Sequence, residues 1–282
     1  MIGIIGGSGL YQINGLENVQ EKSVKTPFGE PSSPIVQGKI AGKEVAFLAR
    51  HGKSHQFTPS EVNYRANIYA MKSLGVKRII GVSACGSLRE DYAPGSLVIP
   101  NQLIDMTKGR KRSFFEQGVV AHVGVADPFC ETECQALADA AANLEVDLHK
   151  GGAFVTVEGP RFSTGGESEL FRSWGMALIG MTTSPEAFLA REAEICYAVL
   201  AHVTDYDVWH TEPVSVELVV KTMQDNIKHA KTVIRNYVAN TLEECTCEHQ
   251  HSLKNALLSN LSNAPAETLK KLDLLIGKYL KS

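Results

Sequence analysis

The sequence predicts an α/β layer architecture with a largely parallel sheet. Apolar runs of strand length recur at 44–49, 78–82, 151–158, 177–181 and in the run that ends at Asp205. Segments of helical periodicity stand between several of them, and strands that alternate with helices pair in parallel through crossover connections. The same runs end on glycines, hydroxyl residues or charges, where an α/β sheet presents its ligand-binding groups.

In chain order, MIGIIGGSGL is a short strand closing in Gly6-Gly7-Ser8-Gly9. Glycines allow a sharp turn that brings N–H groups close to an anion, and Ser8 adds a hydroxyl. The run matches neither the dinucleotide fingerprint nor the Walker pattern, and such a turn is often only a turn. Residues 24–38, with three prolines, read as an irregular excursion before the strand at 44–49, which runs into Arg50-His51-Gly52. Beyond a polar loop with His55 and Pro59, residues 61–74 place Val62, Ile68, Tyr69 and Met71 at helical spacing, and Gly75 ends that helix. The strand at 78–82 empties into Ser83-Ala84-Cys85-Gly86-Ser87.

Residues 95–106 read as one strand, with 107–123 open between loop and strand, and antiparallel pairing is available here. Residues 131–144 suit a helix with acids in its first turn. The strand at 151–158 ends at Gly159-Pro160-Arg161-Phe162-Ser163, residues 167–174 form a short helix, and the strand at 177–181 leads into Thr182-Thr183. Pro185 opens the next helix. A helix at 215–224 carries Val216. In 265–281, Leu269, Leu272, Leu275, Ile276 and Leu280 at helical spacing predict a helix packed on the body or on a neighbour.

Residues 1–240 read as one domain and 241–282 as a C-terminal helical extension. Charge is nearly balanced, 28 basic against 31 acidic residues, which leaves no electrostatic footprint for nucleic acid or an anionic membrane. No apolar run reaches bilayer-spanning length and the N-terminus lacks a basic n-region, so a cytoplasmic location is expected. Of the six cysteines, only Cys245-x-Cys247 and Cys130-x-x-x-Cys134 are close together. That is neither a disulfide framework nor a four-ligand zinc spacing, and no metal site is expected.

Four strand ends carry compact hydrogen-bonding groups: Ser8, Arg50-His51, Ser83-Ala84 and Thr182. Hydroxyls, backbone N–H groups and an arginine fork suit a phosphate bound without metal, and the set predicts one phosphate pocket. In VLAHVTDYDVW, continued strand alternation points Asp205 and Asp207 to one side, a paired acid in which one carboxyl donates and the other accepts. A solvated turn is the competing reading of that stretch.

GIIGGSGL, LARHG, ACGSLRE, VEGPRFST, MTTSPEAFLA and VTDYDVW together resemble the trimeric purine nucleoside phosphorylases, in particular those members that cleave 5′-methylthioadenosine, over roughly residues 1–235. The resemblance implies a central mixed β-sheet, partly barrel-like, surrounded by helices. It implies a homotrimer, or a hexamer built as a dimer of trimers, with active sites near subunit interfaces. The reaction implied is phosphorolysis of 5′-methylthioadenosine to adenine and 5-methylthioribose 1-phosphate, with inorganic phosphate as co-substrate and no cofactor. The family's phosphate ligands fall on Ser8, Arg50, His51, Ser83, Ala84 and Thr182, and its ribose contact on Met181. Phe162 and Ser163 fall at the purine pocket, Ser163 standing where 6-oxopurine-specific relatives have Glu. Asp205 takes the role of the acid at purine N7, and Asp207 that of acceptor for a 6-amino group. Val216 falls at the 5′ pocket. Some thermophilic members have a CxC that takes part in disulfides, whereas Cys245 and Cys247 equally suit two reduced thiols. The competing functions are a broader or 6-oxopurine nucleoside phosphorylase and, outside enzymes, a nucleoside-binding protein on the same scaffold.

Overall fold

A computed structural model describes the chain apart from residues 8, 9, 11, 211–215, 243–246 and 281–282, and apart from the side chains of 216–219 and 221. Four strands form the heart of the sheet: β1 (Ile2–Gly6), β4 (Lys43–Ala49), β5 (Arg78–Ser87) and β11 (Cys196–Asp205). β1 lies between β4 and β5, β11 lies on β5, and all these pairings are parallel. Buried on both faces, β1 and β11 read as apolar runs without alternation, as strands covered by helices do.

Antiparallel strands extend this centre. β3 (Ile35–Ile40) joins β4 through Ala41-Gly42, both at positive φ, the two-residue turn whose twist suits a hairpin. Residues 35–38, the end of the 24–38 stretch expected to be irregular, are therefore part of a strand, and the three prolines of that stretch all precede it. β2 (Glu17–Lys22) is an exposed edge strand, charged enough to discourage further pairing. The single strand expected at 95–106 is two, β6 (Leu97–Ile99) and β7 (Gln102–Met106), broken at Pro100-Asn101 where proline has no N–H for a ladder. β6 pairs antiparallel with β11 and parallel with β8 (Leu148–Lys150), while β7 continues through β9 (Ala153–Val157) to β10 (Met176–Gly180). The result, among the described residues, is an eleven-stranded mixed sheet.

Helices cover the sheet: α1 (Tyr64–Ser73), α2 (Glu131–Ala141), α3 (Gly165–Ser173), α4 (Thr183–Glu192), α5 (Val216–Asn240) and α6 (Ala266–Leu280). Asn63 caps α1, and Thr164 with Glu167 closes a capping box on α3. Ser184 departs from helical angles, so continuous helix in α4 starts at Pro185. The helix expected at 215–224 is the first part of the much longer α5. Leu253, Ala256, Leu272, Leu275 and Ile276 of the C-terminal segment join the same buried core as the sheet. No helix among the described residues is long and apolar enough to cross a membrane.

β5 positions the site. It runs to Ser87 rather than stopping at 82, because β11 pairs along it as far as Gly86. Its other edge is shared: Arg78–Gly81 pair with β1, and Gly86 and Ser87 pair with β10. Between these partners, residues 82–85 have no strand on that edge, and Ala84 is the one exposed residue of an otherwise covered strand.

Candidate active site

The gap along β5 opens into a cavity of about 520 Å³. Gly7, Arg50, His51, Ser83, Ala84, Met181, Thr182, Phe162, Ser163, Asp205 and Asp207 all border it, drawn from the open stretch of β5 and from the ends of β1, β4, β9, β10 and β11 with the loops that follow. The strand-end residues read separately from the sequence are thus brought together. Ser83 Oγ and Thr182 Oγ1 are 3.1 Å apart, joining β5 to the start of α4. Ser8 and the side chain of Val216 lie outside the described residues. Val220, Met223 and Ile227 line the cavity from α5.

Arg50 differs from expectation. Its fork, expected to face an oxyanion, grips Glu186: Nε and Nη2 donate to the two carboxylate oxygens, each at 2.8 Å. Nη2 also donates to Ile5 O and Nη1 to Val82 O. One of the guanidinium's five N–H groups remains for the cavity. Burial opposes the charge, but Glu186 more than compensates and Arg50 stays ionised. Tyr197 adds a third donor to Glu186. Strand-end placement signals an arginine; it does not reveal a buried carboxylate 136 residues away in sequence.

His51 Nδ1 lies 2.9 Å from Phe57 O, and since a carbonyl only accepts, Nδ1 carries the proton and Nε2 is an acceptor. Burial and neighbouring Arg50 lower its pKa to about 4, leaving the ring neutral near pH 7. A neutral His51 offers the cavity a hydrogen-bond acceptor at Nε2 rather than a charge.

The two acids meet, by a different geometry from simple alternation. A bulge lies between Val203 and Asp205, the strand ends there, and Asp207 sits at φ 52°. Asp207 N donates to Asp205 Oδ1 at 2.8 Å, an Asx turn that folds the second acid back beside the first. Thr204 Oγ1 donates to Asp205 Oδ2 at 2.7 Å and has Cys85 O as a second acceptor at 3.2 Å. Burial pushes the Asp205 carboxyl up, against these two bonds and with help from the charge of Asp207. Burial raises Asp207 too, while the hydroxyls of Ser168 and Ser163 and the Val208 N–H favour its ionised form. Asp207 Oδ2 is buried and has no hydrogen bond among the described residues, and Asp207 borders the cavity. The following loop is pinned by Trp209 Nε1 to Ser87 O at 2.7 Å, with the Arg172 guanidinium 3.6 Å from the Trp209 ring centre.

Several site residues gave no sequence signal. Arg110, in the ambiguous 107–123 stretch, donates to Met181 O, Ser184 O and Glu158 O at 2.7–2.8 Å and ties the ends of β9 and β10 together. His202 on β11 borders the cavity, with Nδ1 buried and without a partner among the described residues, and burial lowers its pKa to about 4. The apolar stripe of α5 was readable only as helix periodicity.

A profile of the Phosphorylase superfamily matches residues 1–239. An S-methyl-5′-thioadenosine phosphorylase of Geobacter sulfurreducens is 50% identical over 283 residues, covering 99% of each chain. One from Thermofilum pendens is 50% identical, covering 91% of this chain and 98% of that one. Among solved structures, a methylthioadenosine phosphorylase from an Antarctic soil metagenomic library superimposes with a TM-score of 0.94 at 46% identity, covering 97% of this chain and 98% of the other. The Schistosoma mansoni methylthioadenosine phosphorylase in complex with adenine gives 0.86 at 37% identity, with 91% and 98% covered.

Proposed function

The chain belongs to the phosphorylase superfamily, and from that membership and its site we infer that it catalyses phosphorolysis of 5′-methylthioadenosine, releasing adenine and 5-methylthioribose 1-phosphate. The observation that carries the reading is the single cavity in which two buried, adjacent acids face the Ser83–Thr182 hydroxyl pair and Arg50. Relatives at 50% identity over nearly the whole chain bear that activity in their names.

We assign the steps as follows. Phosphate rests on the Ser83 and Thr182 hydroxyls, the free Nη1 hydrogen of Arg50 and the backbone around Gly7 and Ala84, with His51 Nε2 accepting a hydrogen bond from its P–OH. A phosphate oxygen bonds to C1′ as the C1′–N9 bond breaks, and the released electron pair passes into the purine. Asp205, raised by burial, donates its proton to N7 as that charge develops. Thr204 suits both states of Asp205, since its hydroxyl can turn from Oδ2 to Cys85 O when the acid is protonated. Ionised Asp207 only accepts, so it pairs with a 6-amino group and repels the oxygen of a 6-oxopurine. Ser163 beside it supplies no carboxylate for the N1–H of a 6-oxopurine. Val220, Met223 and Ile227 offer an apolar wall for the methylthio group, whose burial contributes roughly 1–2 kcal/mol over a 5′-hydroxyl left without a partner. These steps draw on proton donation and charge stabilisation alone, and inorganic phosphate is the co-substrate.

We further propose a homotrimer, with a hexamer as its possible doubling, in the cytoplasm. Phe162 at the cavity and Leu170 and Trp174 on the next helix are exposed large apolar residues, as befits a neighbour close to the site. Assay of phosphate-dependent base release from methylthioadenosine, adenosine, inosine and methylthioinosine tests the function. Release from methylthioadenosine above the other three is expected; no release from any would make the chain a binding protein, and a preference for inosine would make it a 6-oxopurine enzyme.

A further inference from the structure

Cys130, Cys196 and Cys247 come from three distant stretches of chain and converge far from the cavity. Cys130 precedes α2, Cys196 opens β11, and Cys247 precedes the short 3-10 turn Glu248–His251. Their sulfur atoms all lie within 4.8 Å of one another. Cys130 Sγ and Cys196 Sγ stand 3.5 and 2.8 Å from Cys247 Sγ. The three pack together as a small cluster of their own, apart from the main core.

We propose that this cluster binds one divalent, thiophilic metal ion of the zinc class through three thiolates. A tetrahedral centre with Zn–S bonds of about 2.3 Å separates its sulfurs by about 3.8 Å, so one edge is nearly set and the other opens by about 1 Å. Charge selects the ion. Three thiolates, two of them buried, need compensation, and a divalent cation leaves a single negative charge. Arg191, which interacts electrostatically with all three sulfurs, cancels it. That guanidinium is fixed by the carbonyls of Gly124 and Asp127 and stands 2.8 Å from His249 Nε2. A monovalent ion would leave the group uncompensated. The fourth position is left to water, on the side of the partly exposed Cys247.

The cluster sits at the start of β11, and Asp205 at its end, so the metal takes no part in the reaction. It fastens the segment that follows α5 to the sheet and to α2, and a site of this kind adds its binding energy to folding. Sequence spacing conceals it, because no two of the three cysteines are near neighbours in the chain.

The test uses the full chain, purified with reductant under anaerobic conditions, stripped by chelator and titrated with cobalt(II) and then zinc. One equivalent of cobalt should produce intense sulfur-to-cobalt charge-transfer absorption that one equivalent of zinc abolishes, with a rise in Tm. Cys247→Ser should abolish the band and weaken zinc binding by at least about 100-fold. Cys134→Ser, which alters a buried cysteine outside the cluster, should retain both. Cys130→Ser repeats the test should Cys247→Ser fail to fold, with circular dichroism reporting the fold of each variant. A reduced, folded chain that takes up no cobalt overturns the proposal, as does unchanged affinity in the folded cysteine variants.

Discussion

Arg50 and Glu186 face each other through two parallel hydrogen bonds of 2.8 Å, with side chains 3% and 0% exposed. A charge pair so deeply buried is held by mutual need: either member alone is an uncompensated ion. Glu186→Gln is expected to lower stability by about 3–5 kcal/mol. Arg50→Ala should in addition sharply weaken phosphate dependence. The double variant Arg50→Met/Glu186→Met should recover much of the stability and none of the phosphorolysis. Denaturant midpoints and phosphate saturation curves check all three, and equal recovery of both properties would remove Arg50 from the site.

Asp205→Asn keeps shape but has no titratable proton for N7. Its kcat should fall by about 10² to 10⁴ on every purine nucleoside. Asp207→Asn presents an NH₂ beside its carbonyl and should shift preference toward 6-oxopurine nucleosides. Comparing kcat/KM for methylthioadenosine and methylthioinosine separates the roles. An unchanged ratio in Asp207→Asn contradicts them.

The Ser83 and Thr182 hydroxyls bond each other as well as bordering the cavity. Each alanine replacement should raise the KM for phosphate by about tenfold, the worth of one hydrogen bond to a charged group, while leaving that for methylthioadenosine nearly unchanged. Because the two side chains are in contact, the double replacement should depart from the product of the singles. Initial rates at varied phosphate measure this.

His202 gives a pH signature. Its folded pKa of about 4 lies below the ordinary histidine value. Between about pH 6.5 and 4 the unfolded chain therefore binds a proton that the folded chain does not, and stability falls as pH falls through that window. His202→Met removes this loss. Measured by chemical denaturation, the stability of the variant relative to the parent should improve by about 2 kcal/mol between pH 7.5 and pH 5. No change in the difference would mean that His202 is protonated in the fold.

Much of the site was legible because an α/β sheet gathers its strand ends. Ser83, Thr182, His51 and Asp205 each follow an apolar run, and once the sheet closes they share a cavity. What stayed hidden depends on pairing between remote segments. Glu186 looks like any helix acid until Arg50 lies against it, and Arg110 sits in a stretch with no periodicity. The turn at Asp207 needs a positive φ that its own sequence did not announce. Element boundaries failed where partners set them: β5 outlasts its apolar run because β11 pairs beside it, and Pro100 divides a strand whose hydrophobicity is continuous.

The position of β5 also bears on how the molecule comes into being. Arg78–Gly81 find β1 soon after synthesis, but the opposite edge waits for Cys196–Val199, and residues 86 and 87 wait for 178 and 179. Until then a long apolar strand has an open ladder, the condition in which nascent chains pair with the wrong partner. Such remote pairings fold slowly, and the cavity cannot exist before the last of them forms. A ribosome-bound chain that stops short of residue 205 would thus hold Arg50, Ser83 and Thr182 of the cavity lining and neither of its paired acids.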